Sequence, residues 1–177
     1  MEEASREALP AFCRARTLIL GCGNVLFGDD GFGSAVIDYL EQHFEIPADV
    51  YLLDAGTGVR TLLFTVSLSS VRPERILIVD AVDRGRTPGE VFDLDPMELP
   101  ATKQDDFSFH QLPTSNLLRE LADEGSIEVR VLCCQTGPLP EEISPGLSDP
   151  VRRAVAVAAE LIATRYLVTA ADSIGGG

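Results

Sequence analysis

The segment Arg75 to Val82, RILIVDAV, is apolar at almost every position, with no alternation between apolar and polar residues. Such a run reads as a strand covered on both faces, the kind found in parallel sheets with helices packed above and below. The rest of the chain fits the same architecture. Thr17 to Gly23 (TLILGCG) is a second apolar run, and Phe32, Val36, Ile37, Leu40 and Phe44 then recur at the steps of an amphipathic helix. Val50 to Leu53 reads as a strand closed by Asp54-Ala55-Gly56-Thr57-Gly58, and Arg60 to about Ser70 as a helix. Glu90 to Leu94 reads as an additional, antiparallel edge strand. Thr114 or Ser115 caps a helix to about Asp123, and Ile127 to Cys134 makes another strand. Asp149-Pro150 opens a final helix through Val168, with proline in its first turn. The order βαβαβ(β)αβα predicts a three-layer α/β sandwich, a doubly wound, mainly parallel sheet of about five strands flanked by helices.

A length of 177 residues suits one domain. We expect an N-terminal extension over 1–16, a single α/β domain over 17–168 and a flexible tail over 169–177. Two stretches, Asp95 to Pro113 and Gln135 to Ser148, have no readable period, and long irregular segments in a compact domain tend to be functional loops. The chain carries 28 Asp and Glu against 14 Lys and Arg, a net charge of −14. That surface repels phosphate backbones and anionic lipid, so neither nucleic acid nor a membrane is expected as partner, and a basic peptide or a cation fits better. The N-terminus has glutamates where a secretory signal carries positive charge, and the four cysteines form no CxxC pair; both features point to a cytoplasmic protein with reduced thiols. Cys133 and Cys134, adjacent on one strand, are expected on opposite faces.

The first loop, GCGNVLFGDDGFG from Gly21 to Gly33, opens like a dinucleotide fingerprint. It puts Leu26 where the third glycine belongs and places Asp29 and Asp30 where a pyrophosphate would have to sit. Nucleotide binding is therefore disfavoured. The two aspartates could simply cap the following helix, although one cap suffices. Asp80 ends the central strand, and if the sheet order begins 2-1-3 it faces the same crevice as Asp30. Only two histidines are present. His43 sits within the first helix, whereas His110, in Ser108-Phe109-His110-Gln111-Leu112, precedes a helix and can hang over the carboxyl edge of the sheet. Two carboxylates and an imidazole make a mixed oxygen and nitrogen site suited to a divalent transition metal, without choosing among nickel, zinc, cobalt and iron. No GxSxG elbow and no HExxH motif is present.

GCGNVLFGDDGFG after the first strand, DAGTG after the second, ILIVDAVDRGRTPGE with Asp80 ending the third, and SFHQL around His110 together resemble the hydrogenase maturation endopeptidases over Leu18 to Leu167. Cys133-Cys134 and the stretch Pro140 to Leu147 further resemble the subgroup serving deazaflavin-reducing hydrogenases of methanogens. The resemblance implies an endopeptidase that removes a C-terminal extension from the nickel-loaded large-subunit precursor of a nickel-iron hydrogenase. It implies Asp30, Asp80 and His110 as the metal-binding and catalytic triad, with nickel supplied by the precursor. The first position is Glu in some relatives, and the shorter Asp30 draws its donor oxygen back by about one methylene. Asn24, Asp29, Gly56 and Thr57 are expected to contact the precursor or shape the backbone around it. A non-proteolytic nickel chaperone using the same triad is the alternative.

Overall fold

The computed structural model describes residues 9–96, 115–123 and 127–167. In chain order these form α1 (Ala11–Arg14), β1 (Thr17–Cys22), a 3-10 turn (Gly28–Gly31), α2 (Phe32–His43), β2 (Val50–Gly56), α3 (Val59–Leu68), β3 (Arg75–Val82), β4 (Val91–Leu94), α4 (Ser115–Asp123), β5 (Glu128–Gln135) and α5 (Asp149–Tyr166). The five strands run in the order β2-β1-β3-β5-β4. All neighbours are parallel except β4, which pairs antiparallel with β5 at the sheet's edge. The expected three-layer, doubly wound sheet is present, and its order meets the 2-1-3 condition under which Asp30 and Asp80 share a crevice.

Continuous apolar strands follow directly from burial on both faces. Leu18, Leu20, Ile76, Ile78, Val129 and Val131 enter one core with α3 and α4, while Ile19, Leu77, Val79 and Leu132 enter a second core with α2 and α5. Successive residues of one strand point to opposite faces, so both sets must be apolar. Cys133 and Cys134 divide between the two cores in the same way. All four cysteines are free and buried.

The largest boundary differences have local causes. Helix α3 stops at Leu68, short of Ser70, because the Ser69 hydroxyl donates to the Val71 carbonyl oxygen at 2.6 Å and Arg72 donates to the Ser67 and Ser69 carbonyl oxygens, consuming acceptors a longer helix would use. At the other end of the chain, the segment expected as an extension contains the single turn α1, whose Cys13 is fully buried in the first core. Four residues are too few to show a helical period. Edge strand β4 is short, and Arg165 of α5 grips its Asp93 through both carboxylate oxygens at 2.8 and 3.0 Å, a common way to blunt an exposed strand. Among the described residues no helix is long and apolar enough to cross a membrane.

Helix α2 packs on the sheet at unusually close range. A side-chain carbon on Gly33 would run into the backbone nitrogen and oxygen of Cys22 and the carbonyl oxygen of Val79. This glycine lets the first turn of α2 rest on the carboxyl ends of β1 and β3 together.

Candidate active site

In an open α/β sheet the ligand crevice forms where successive connections leave in opposite directions, here between β1 and β3 at their carboxyl ends. Chain order delivers both aspartates to that point. Beyond β1 the backbone turns at Gly23, with φ of +116°, so closely that a side chain there would strike the carbonyl oxygen of Asp30. Asn24 then donates its backbone N–H to Asp30 Oδ2 at 2.8 Å, and its own Oδ1 accepts the N–H of Leu26 at 3.1 Å. Asp30 is thereby held buried, with one carboxylate oxygen fixed by the loop.

Asp80 lies one register step beyond the Gly21–Val79 pair and directly opposite Cys133. Cys22, Asp80 and Cys133 therefore form a row across β1, β3 and β5, and both thiols belong to the core beneath that row. The outer two strands are about 10 Å apart, too far for Cys22 and Cys133 to be bridged. Asp80 is only 7% exposed. Burial raises its pKa to about 7; the Ala81 N–H, donating to Oδ1 at 2.8 Å, opposes that rise, and the nearby charge of Asp30 adds to it. Burial, with the negative charge of Asp80 next, also pushes the Cys22 and Cys133 thiols upward, so both stay protonated at neutral pH.

Asp29 does something different from its neighbour. Its Oδ1 accepts the Ser148 N–H at 2.7 Å, and its Oδ2 accepts the Ser148 hydroxyl at 2.9 Å and the Gly137 N–H at 3.2 Å. One buried carboxylate thus clasps both ends of the 137–148 segment, which had no readable period in the sequence. The middle of that segment is tied to the first loop, where Ser144 donates to the Leu26 carbonyl oxygen and Gly28 donates to the Ser144 carbonyl oxygen, both at 2.9 Å. Asp29→Ala should release the clasp and lower stability by on the order of 2–4 kcal/mol, from three donors left unpaired. A lowered urea midpoint and faster cutting after Glu141 and Glu142 by a glutamate-specific protease are expected. Wild-type values for both would refute the clasp.

The turn after β2 closes the other side of the crevice. The Asp54 carboxylate accepts the Ser34 hydroxyl at 2.8 Å and the Gly56 N–H at 3.0 Å, and Gly56 accepts the Gly23 N–H at 3.1 Å. Gly56, at φ of +51°, is set beside the first loop, and Thr57 is exposed next to it. Sequence reasoning missed Gln135. This buried amide accepts the backbone N–H groups of Arg84 and Arg86 at 2.8 and 3.1 Å and donates to Asp83 at 2.9 Å, so it fixes the path of the chain after Asp80. A polar residue directly after the apolar run Val131 to Cys134 was the available signal.

The structure brings Asp30, Asp80, Asn24 and Gly56 to one crevice and engages Asp29 in the clasp. His110 lies outside the described residues. Among those described, no three His, Cys, Asp or Glu side chains are grouped as a metal cage, and the crevice offers the Asp30 and Asp80 carboxylates, an oxygen pair that fits part of a divalent-ion shell. His43 is at the end of α2, exposed and stacked on Tyr39 with ring centroids 3.9 Å apart. A separate polar cleft of about 400 Å3, lined by Arg75, Asp93, Glu128, Arg130, Arg165 and Tyr166, opens towards the amino ends of β3 and β5.

Comparison with known proteins shows the family. The family model described as HycI, hydrogenase maturation protease, matches residues 34–165. The chain belongs to the hydrogenase maturation protease family. It is 41% identical to a putative hydrogenase maturation protease of Methanocaldococcus jannaschii over 149 residues, 82% of this chain and 92% of that one. It is 37% identical to the coenzyme F420 hydrogenase subunit delta of Methanothermobacter thermautotrophicus over 156 residues, 84% of this chain and 92% of the relative. The sequence resemblance to a methanogen subgroup has its counterpart in these two relatives. Among solved structures, the [NiFe] hydrogenase maturation protease HycI of Thermococcus kodakarensis superposes with a TM-score of 0.69 at 25% identity, covering 85% of this chain and 91% of that one. The hydrogenase maturating endopeptidase HybD of Escherichia coli does so with a TM-score of 0.65 at 29% identity, covering 84% and 90%. The protease is thus an endopeptidase on a doubly wound α/β sheet.

Proposed function

We propose that this protease removes the C-terminal extension from the nickel-loaded large-subunit precursor of a nickel-iron hydrogenase. Asp30 and Asp80 bind the nickel that the precursor presents, and His110 supplies a nitrogen donor. The observation that carries this reading is the meeting of Asp30 and Asp80 at the β1/β3 crevice, close enough for the charge of one to raise the pKa of the other. Two like charges in a buried crevice repel, and a divalent cation relieves that repulsion. A nickel ion bound there can act as a Lewis acid on the scissile carbonyl or on water. The protein's own contribution is to hold the two carboxylates in place: Asn24 fixes Asp30, and Ala81 and the strand register fix Asp80. Because the metal arrives with the substrate, a precursor without nickel leaves the crevice incomplete, which makes cleavage a checkpoint on metal insertion.

The test is a processing assay with purified protein and purified precursor. A shortened large subunit should appear with the nickel-loaded precursor, and not with the metal-free one. His110→Ala should abolish the product while leaving the circular dichroism spectrum intact. Processing at the wild-type rate by a folded His110→Ala variant would remove that residue from the triad, and absence of any product from the wild type would favour a nickel chaperone over a peptidase.

A further inference from the structure

Six large apolar side chains stand exposed among the described residues, and three of them, Val25, Leu26 and Ile143, belong to the first loop and the 137–148 segment. These two pieces of chain are far apart in sequence and joined in space. The parallel bridge between Phe27 and Ser144 places Ile143 across from Leu26, so the exposed side chains form one ledge. Ile143, at the crest, is 68% exposed. The ledge is prefixed, because the Asp29 clasp holds the base of the segment and the Ser144 hydrogen bonds hold its middle. It continues directly into the candidate site, since Asn24, next to Val25, is the residue that caps Asp30.

Charge selects the occupant. Between Gly23 and Gly33 and between Gly137 and Ser148 the chain carries Asp29, Asp30, Glu141 and Glu142 and not one Lys or Arg. Glu141 and Glu142 are exposed immediately before Ile143. A second copy of a chain with net charge −14 would be repelled from such a surface, as would an anionic membrane. Exposed apolar side chains with two exposed carboxylates, Glu141 and Glu142, directly before Ile143 match an extended peptide bearing both apolar and basic side chains.

We infer that the Val25–Leu26–Ile143 ledge, with Glu141 and Glu142, docks an extended segment of the precursor flanking its scissile bond, one carrying a bulky apolar side chain and a basic one. The inference rests on the peptidase reading above and adds where, and by what chemistry, the peptide is held. A preformed ledge spares the enzyme the ordering of its own loop on binding, leaving only the peptide to be ordered.

Steady-state processing of purified nickel-loaded precursor tests it, with Val157→Ser as the control for loss of an exposed apolar side chain elsewhere. The double variant Leu26→Ser/Ile143→Ser should raise KM about tenfold, 1.4 kcal/mol in binding, while kcat stays within about twofold of wild type. Glu141→Gln/Glu142→Gln should raise KM at low salt and flatten its rise with salt. Val157→Ser should leave KM unchanged. An unaltered KM in the first double variant overturns the ledge, and an unaltered salt dependence in the second overturns the basic partner. Direct binding to the mature large subunit, lacking the extension, supplies another arm. If that subunit binds as tightly as the precursor, and Leu26→Ser/Ile143→Ser weakens both alike, the occupant is the body of the subunit and the inference fails. If wild-type protein cleaves no precursor at all, the peptidase reading fails instead, and precursor binding by wild type against the first double variant still decides the ledge.

Discussion

Asp80→Asn should abolish precursor processing and at the same time make the protein more stable at pH 8. Asparagine preserves the acceptor for the Ala81 N–H but cannot offer the anionic oxygen the proposed nickel ligand requires. The stability gain follows from the direction of the pKa shift. In the unfolded chain an aspartate ionises near about 3.9, whereas burial, reinforced by Asp30, holds Asp80 in the folded protein at about 7. The folded state therefore prefers the protonated form. Its advantage is complete below the unfolded pKa and is lost as pH rises through about 7. By pH 8 the ionised carboxylate costs on the order of 3–4 kcal/mol, which Asp80→Asn removes. Thermal melts of metal-free wild type and variant should coincide near pH 4 and separate towards pH 8, with the variant higher. A separation independent of pH would mean that Asp80 does not ionise in the buried setting described. Retention of processing by the variant would remove Asp80 from the site.

Gly33→Ala is expected to damage the fold severely for a single added methyl group. The new carbon would meet backbone atoms of Cys22 and Val79, and backbone in the middle of a sheet does not move aside as a side-chain tip would. A loss on the order of 2–4 kcal/mol is a large share of the roughly 5–15 kcal/mol that holds a domain folded. For a chain of this size it corresponds to a melting point lower by roughly 5–15 °C. Because the first turn of α2 also fixes the exit of the Asp30 loop, the surviving folded fraction should process precursor poorly. A melting point within a degree of wild type would show that α2 does not lie as close to β1 and β3 as described.

Most of the framework was legible before any coordinates. Arg75 to Val82 had to be a strand buried on both faces, and it lies in the middle of the sheet, third of five. The 2-1-3 start was only a condition in the sequence reading, and the sheet order meets it, placing Asp30 and Asp80 at one crevice. The reach of the alternating pattern ended where structure depends on contacts distant in sequence. Asp29 looks like a helix cap when read locally, because its partners Gly137 and Ser148 lie 108 and 119 residues away. Gln135 and Cys22 likewise give no hint of their partners: one organises a loop 49 and 51 residues earlier, and the other gains its meaning only beside Asp80 on the neighbouring strand. The single turn at Ala11–Arg14 failed to register for want of length, although Cys13 reaches the core.

The sheet order has a consequence for how this protein is born. Strand β4 precedes β5 in the chain but pairs only with β5, which in turn sits between β3 and β4. On the ribosome β4 therefore emerges with no partner and must wait for residues up to Gln135, while Asp29 waits longer still, until Ser148 is made. Contacts distant along the chain carry a larger loop-closure cost and cannot form before both partners are made. The clasped loop beside Asp30 is thus among the last parts to close, so a nascent chain that ends before Gly137 would carry the aspartates without the 137–148 surface beside them.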